Sequence, residues 1–168
     1  PWCALVAVDD YVQPQSGLIH KLKFTGQSQL GSPLARLLVL AVLHARRVRA
    51  LPNVDLIINV PLHSRRHWRR GYNQSDLLCR PLAHWLSCAY FSGALKRTRA
   101  TAVQHRLNAR LRKRNLKNAF HLELSLKGRH IAIVDDVVTT GSTVSELSRL
   151  LLQSGAASVQ VWCMCRTL

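Results

Sequence analysis

The segment from residue 131 to residue 151 constrains the fold more than any other part of this 168-residue chain. Residues 131–134 are all apolar, a pattern typical of a strand buried on both faces of a parallel sheet. A loop rich in threonine and serine follows, and apolar residues then recur at helical spacing at Val144, Leu147, Leu150 and Leu151. The order strand, loop, helix predicts one unit of an α/β fold.

The loop has the composition of a phosphate-binding site. Residues 139–143 fall at the predicted helix N-terminus, where backbone N–H groups and the helix dipole favour an anion. Gly141 lacks a Cβ, so it can adopt a positive φ and let a ligand approach the backbone closely. Asp135 and Asp136, just before the loop, can accept hydrogen bonds from a diol or orient a hydrated metal ion. A phosphate beside a diol predicts a ribose 5-phosphate ligand.

A strand followed by a helix with a Ser/Thr cap is the alternative interpretation of this segment, and it needs no ligand. The acid pair argues against this alternative. Two adjacent carboxylates repel each other unless cations or hydrogen-bond donors interact with them. Capping a helix also uses one hydroxyl or carboxylate residue, not the whole set found here. We therefore favour a ligand site.

Three segments resemble known protein families. Residues 134–143 are similar to the phosphoribosyl pyrophosphate (PRPP) signature of the type I phosphoribosyltransferases. Residues 60–74 resemble the V-P-L-x-x-x-R-x-x-x-R-G-[FY]-N-Q pattern of the ComF family, in which GntX-like proteins are the nearest match. Residues 99–120 follow the basic loop that ComF-like chains carry before the signature strand. The resemblance implies the type I phosphoribosyltransferase-like α/β fold, which is a parallel sheet with helices on both faces.

The resemblance also assigns roles to individual residues. In type I phosphoribosyltransferases the acid pair holds the ribose hydroxyls and the loop wraps the 5-phosphate, so the ribose-phosphate-binding set is Asp135, Asp136, Val137, Val138, Thr139, Thr140, Gly141, Ser142 and Thr143. The pyrophosphate-binding set is Arg69, Arg70, Gly71, Tyr72, Asn73 and Gln74. The catalytic set is Asp135, Asp136, Arg69 and Arg70, in which the arginines stabilise the departing pyrophosphate. Mg²⁺ is expected to be held through PRPP and water, with no direct protein ligand. Turnover is left open, because some relatives bind PRPP only as a signal.

The chain is strongly basic, with 24 Lys and Arg against 8 Asp and Glu and a formal net charge of +16. Residues 63–117 contain fourteen of these basic residues and one acid, Asp76. A small anionic ligand can contact only a few of them, so the surplus predicts a polyanion as a second partner, with single-stranded DNA the first candidate. Trp68 lies among four arginines, a setting typical of base-stacking residues. The alternative is a basic, solvated face that favours solubility.

The second functional hypothesis is a non-catalytic, nucleic-acid-binding accessory protein that keeps the ribose-phosphate pocket as a relic or a sensor. The resemblance supports it, because ComF-like proteins are associated with DNA uptake in competence and GntX-like proteins with the use of DNA as a nutrient. The two hypotheses differ in salt dependence. Binding of a polyanion weakens steeply as salt rises, whereas PRPP binding depends on Mg²⁺ and on the acid pair.

The cysteines show no C-x-x-C spacing and lie at positions 3, 79, 88, 163 and 165. An odd number without an apparent secretory signal predicts reduced thiols and a cytoplasmic protein. Cys163 and Cys165 are expected to face the same side of the last strand, as packed hydrophobic residues and not as a metal or redox pair.

ComF-like proteins often carry an N-terminal zinc ribbon. We expect none here, and we interpret residues 1–168 as a single domain without membrane insertion.

A coarse assignment along the chain alternates strands with helices. Trp2 and Trp85 are interpreted as core or edge packing, and Pro81 is expected to kink or divide its helix. Strands are predicted at residues 4–8, 55–60, 93–96, 119–124, 131–134 and 159–165. Helices are predicted at residues 16–24, 30–49, 73–86 and 101–118, and from about residue 139 onward.

Overall fold

The computed structural model describes residues 1–10, 17, 19–21, 28–61, 73–97, 120–122 and 124–167. The strands are β1 (Ala4–Asp10), β2 (Leu56–Asn59), β3 (Ala89–Tyr90), β4 (Leu95–Arg97), β5 (Phe120–Leu122), β6 (His130–Val138) and β7 (Ser158–Arg166). The helices are α1 (Gly31–Arg49), α2 (Gln74–Leu86) and α3 (Ser142–Gln153), and a 3₁₀ turn at Ser28–Leu30 precedes α1. Residues 19–21 are also helical.

Five strands form one parallel sheet in the order β1-β7-β6-β2-β3. β6 lies at the centre, where Ile133 is opposite Val161 of β7 on one edge and Ile58 of β2 on the other. The apolar residues 131–134 are fully buried, as the sequence pattern predicted. The predicted parallel α/β sheet is therefore confirmed.

Each face of the sheet carries its own apolar cluster. On one face α1 and α2 pack against the strands, around buried residues such as Leu38, Leu78 and Trp162; we call this the α1–α2 cluster. On the other face Leu147 of α3 packs against Ile133; we call this the α3 cluster. Burying each large apolar side chain stabilises the fold by roughly 1.5–3 kcal/mol. The predicted helices on both faces are confirmed.

Several local predictions need correction. Pro81 lies inside α2, but it does not divide that helix. β4 and β5, both expected as strands, pair with each other antiparallel and stand outside the main sheet. β3 is a two-residue strand that was not predicted, and it pairs with β2. The helix predicted at residues 101–118 lies outside the described residues.

Side-chain alternation along β6 is interrupted at the acid pair. Val134 packs in the α1–α2 cluster, and so does Val137, although strict alternation puts residues three apart on opposite faces. The register with β7 is unchanged across the pair, because Asp135 lies opposite Cys163 and Val137 lies opposite Cys165. The strand therefore rotates at the acid pair without an inserted residue.

The two cysteines of β7 follow this rotation. Cys163 and Cys165 are both fully buried, as expected for packed hydrophobic residues. The prediction that they share one side is wrong, because Cys163 packs in the α3 cluster and Cys165 in the α1–α2 cluster. The alternation of side chains between the two faces of the sheet therefore changes at neighbouring residues of β6 and β7.

The start of α2 is fixed by Asn73. The backbone of Asn73 is extended, and its Oδ1 accepts a hydrogen bond from the backbone N–H of Ser75 at 3.0 Å. Its Nδ2 donates to the carbonyl oxygen of Val60 at 3.0 Å. One side chain thus caps the helix and holds it against the end of β2.

α1 and α2 approach each other closely at Gly31. A Cβ built on Gly31 would lie 2.9 Å from the Cβ of Leu77 and 3.1 Å from its carbonyl oxygen. Glycine at this position therefore sets the spacing of the two helices.

In the part of the chain described above, no helix combines the length and the apolar character needed to cross a bilayer.

Replacing Asn73 tests the cap. We expect Asn73→Ala to lower the free energy of unfolding by about 1–2 kcal/mol, because the N–H of Ser75 loses its acceptor. Asn73→Ser should lose less, since a serine hydroxyl can still accept that bond. Urea denaturation of the three proteins measures the order, and equal losses for Ser and Ala would contradict the capping role.

Replacing Gly31 tests the helix contact. Gly31→Val should lower the free energy of unfolding by about 1–3 kcal/mol, because the added side chain overlaps Leu77. The matched control Ser32→Val, at an exposed position one residue on, should stay within about 0.5 kcal/mol of the wild type. Thermal denaturation of both variants checks this difference, and a Gly31→Val protein as stable as its control would refute the close contact.

Candidate functional site

Two loops leave the same edge of the sheet. β2 and β6 are parallel neighbours, and Asn59 at the end of β2 lies opposite Val134, so the segment after β2 begins beside the acid pair, before β6 ends at Val138. In open parallel sheets, ligands bind outside the carboxyl ends of the strands. The candidate site is therefore built from the acid pair at the end of β6, the loop that leads into α3, and the start of α2.

The loop into α3 has the geometry of an anion site. Gly141 is the N-cap of α3, in the left-handed region with φ 67° and ψ 2°. Gly141 has no side chain, so it provides no acceptor for the first backbone N–H groups of α3. Thr140 Oγ1 and Ser142 Oγ are 2.9 Å apart and add hydroxyl donors. A small concavity of about 40 Å³ lies here, lined by Asp135 and residues 137–144.

The two acids differ in exposure and in partners. Asp136 is buried, with 7% of its surface exposed, whereas Asp135 is half-buried. Asp135 Oδ1 accepts hydrogen bonds from the backbone N–H of Asp136 at 2.9 Å and from Ser75 Oγ at 3.4 Å. The acid pair is therefore positioned by its own backbone and by the first turn of α2. Sequence reasoning missed Ser75, because only the packing of α2 against β6 brings it here.

Two fully buried thiols, Cys79 and Cys163, lie near Asp135. Burial raises the pKa of Cys79 well above its usual range, and the charges of Asp76 and Asp135 add to the shift. Burial, together with the charge of Asp135, raises the pKa of Cys163 to about 12. Nucleophilic and metal-binding cysteines act as thiolates. Both residues therefore serve as packing groups beneath the site.

A second polar cluster lies beside the site, where α2 meets β3. The hydroxyl of Tyr90 hydrogen-bonds to Asp76 and to Asn59, and Arg80 forms an ion pair with Asp76 at 3.1 Å. Partial burial alone would raise the pKa of Asp76, but hydrogen bonds from Tyr90, Arg80 and Ser92 hold that pKa below its usual value. Burial, with the bond to Asp76, raises the pKa of Tyr90. This cluster joins α2 to the end of β2.

Trp2 lies against the loop at Gly141. A Cβ built on Gly141 would lie 3.2 Å from Trp2 Cη2. The ring also packs against the α3 cluster, which agrees with its interpretation as a packing residue. A cleft of about 170 Å³ opens beside it, lined by Trp2, Thr140, Gly141, Ser142, Ser145, Glu146 and Arg149. The sequence offered no indication that Trp2 reaches the loop.

The structure brings one part of the predicted site together. The ribose-phosphate set lies along the end of β6, the loop and the start of α3, and all of its members except the buried Asp136 line the small concavity. Of the predicted pyrophosphate set, Asn73 caps α2 and Gln74 begins it, while Arg69, Arg70, Gly71 and Tyr72 lie outside the described residues. Trp68 lies outside them as well. Within the described ranges, no three His, Cys, Asp or Glu side chains are grouped as metal ligands would be.

Comparison with known proteins places the chain among its relatives. The phosphoribosyl transferase domain family matches residues 81–168. DNA utilization protein YhgH of Salmonella typhi is 66% identical over 168 residues, which is all of this chain and 74% of that protein. The protein of the same name from Escherichia coli K12 has the same identity and coverage. Competence protein F of Haemophilus influenzae is 45% identical over 98% of this chain and 73% of its own length.

Solved structures agree on the fold. The glutamine PRPP amidotransferase of B. subtilis matches with a TM-score of 0.50 and 17% identity, over 86% of this chain and 30% of that chain. At this identity the match concerns the fold alone. The identity to YhgH and to competence protein F, over nearly the full chain, is far higher. The chain therefore belongs to the ComF/GntX family of phosphoribosyltransferase-like proteins.

Proposed function

We propose that the chain binds PRPP, or another ligand with a ribose 5-phosphate group, at the loop between β6 and α3. One observation carries the proposal: the acid pair lies in the last four residues of the central strand β6, and the glycine-containing loop follows that strand at the N-terminus of α3. The loop N–H groups and hydroxyls would bind the 5-phosphate. Asp135 and Asp136 would accept hydrogen bonds from the ribose hydroxyls.

Mg²⁺ is proposed as the cofactor, held through ligand oxygens and water. The residues fit this arrangement, because Mg²⁺ retains several waters beside substrate phosphates, and carboxylates can accept hydrogen bonds from those waters. Asp135 and Asp136 provide two carboxylates at the sheet edge. When bound, the ion would neutralise charge on the pyrophosphate.

The proposed reaction is pentosyl transfer, in which an acceptor displaces pyrophosphate from the anomeric carbon of the ribose. Asp135 and Asp136 would hold the ribose in place, and the loop at residues 139–143 would anchor the phosphate. Arg69 and Arg70 would stabilise the charge of the departing pyrophosphate. The relatives named for DNA utilization and competence support a link to DNA uptake or to the use of DNA as a nutrient. A cytoplasmic location is part of the proposal.

Titration of PRPP with Mg²⁺ tests the binding site. We expect Asp135→Asn/Asp136→Asn to weaken PRPP binding by at least tenfold, because charged acceptors form hydrogen bonds roughly twice as strong as neutral ones. The matched control is Asp9→Asn/Asp10→Asn, a second acid pair at the end of β1, two strands away at the same edge. Calorimetry on the three folded proteins provides the affinities.

The control pair separates a local effect from a general loss of negative charge. Both variants remove two carboxylates at the same edge of the sheet, and asparagine keeps an acceptor oxygen at each position. The control should bind PRPP within about twofold of the wild type, since its ion pair between Asp10 and Arg166 is exposed and contributes little. Equal losses in both variants would remove the specific role of Asp135 and Asp136.

Nucleic-acid binding is the second candidate function. The net charge of +16 favours it, and so do the names of the relatives. Fourteen basic residues fall within residues 63–117, more than a PRPP-sized ligand can contact. This function can coexist with the first, because a polyanion could bind the basic segment while the loop holds a sugar phosphate.

Salt dependence tests this second function. Binding of a labelled single-stranded oligonucleotide should weaken linearly with log salt, with a slope of about −0.7 for each phosphate contacted. Replacing the basic run 112–114 with glutamine should make the slope shallower, whereas the same change at Arg36, Arg47 and Arg49 of α1 should not. Fluorescence anisotropy at several salt concentrations measures these slopes. A slope near zero in the wild type would exclude electrostatic DNA binding.

A further inference from the structure

The loop between β6 and α3 borders two clefts. Both clefts are lined by Thr140, Gly141 and Ser142. The acid cleft, of about 40 Å³, reaches Asp135. The Trp2 cleft, of about 170 Å³, extends from the shared residues along the first turns of α3 to the ring of Trp2. A phosphate held by the loop therefore has two directions in which its substituents can extend.

The Trp2 cleft has the dimensions and chemistry of a site for a nucleobase. Its volume of about 170 Å³ exceeds the roughly 150 Å³ of an engineered cavity that holds a benzene ring. Trp2 is held by packing against the α3 cluster, and it meets Gly141 with the ring-edge atoms Cη2 and Cζ2. Base stacking uses a ring face, so the edge contact does not compete with it.

Polar groups complete the lining of the Trp2 cleft. Arg149 is 44% exposed and forms an ion pair with Glu146, so a cation and a carboxylate face the same opening. Ser142 and Ser145 contribute hydroxyls on the same side of α3. An aromatic ring beside hydroxyls and a guanidinium is the combination that proteins use for nucleotides in single strands. A phosphomonoester such as PRPP would leave this cleft unused.

We infer that the Trp2 cleft binds a second nucleoside, esterified to the phosphate that the loop holds, so that the site accepts a phosphodiester. The inference rests on the phosphate-binding role of the loop proposed above. The ribose over the acid pair would be joined to the phosphate through its 5′ oxygen. The other nucleoside would be joined through its 3′ oxygen, and its base would stack on Trp2.

Two matched ligands test this arrangement in the full chain with Mg²⁺. Uridine 5′-monophosphate fills the loop and the acid cleft, and the dinucleotide UpU adds one nucleoside on the Trp2 side. We expect Trp2→Ala to weaken UpU by about five- to 150-fold, the effect of losing one base stack, and to change the monophosphate by less than about twofold. Trp85→Ala, at an exposed tryptophan on α2, should change neither ligand. The deoxy dinucleotide TpT, titrated in parallel, distinguishes a DNA strand from an RNA strand.

A second variant tests whether Trp2→Ala weakens binding only by disturbing the fold. Trp2→Phe keeps an aromatic face against the same cluster, and it should recover most of the UpU affinity that Trp2→Ala loses. Equal weakening of both ligands by Trp2→Ala, or no weakening of UpU, would overturn the inference. If the wild type binds the monophosphate but not UpU, the inference fails and the proposed function stands. If the folded wild type binds neither, the phosphate-binding role of the loop fails, and the inference fails with it.

Discussion

The central strand β6 is paired on both edges and packed on both faces, and this restricts where polar side chains can occur along it. β2 and β7 satisfy the backbone groups of β6, and the two apolar clusters cover its faces. A polar side chain in the middle of such a strand would lose its water without gaining partners. The pairing with β2 ends at Val134, and Asp135 and Asp136 follow directly.

The position of Asp135 depends in turn on α2. Ser75 donates to Asp135, and Asn73 holds the first turn of α2 against Val60 at the end of β2. A change in the placement of α2 would move Ser75 away from Asp135, so the surroundings of Asp135 depend on the hydrogen bond between Asn73 and Val60.

Much of the architecture could be predicted because it depends on local patterns. The apolar run of β6, the glycine loop and the periodicity of α3 each lie within a few residues, and the order strand, loop, helix was predicted correctly. The end of the strand was not, because β6 continues through the acid pair to Val138 and not only to residue 134. The contacts that were missed are long-range. Ser75 reaches Asp135 across 60 residues of sequence, and Trp2 reaches Gly141 across the sheet, so neither leaves a local pattern. The rotation at the acid pair depends on two strands together, which explains the wrong prediction for Cys163 and Cys165.

The bond between Asn73 and Val60 has a consequence for the segment that it encloses. Val60 and Asn73 are joined directly, so the chain between them is a closed loop whose two ends meet at one point of the sheet. The entropy cost of closing a chain between fixed ends changes only slowly with its length. An insertion between these residues therefore adds little to the entropy cost of closing the chain. The length of this part of the chain can therefore vary while the hydrogen bond that joins its ends is kept.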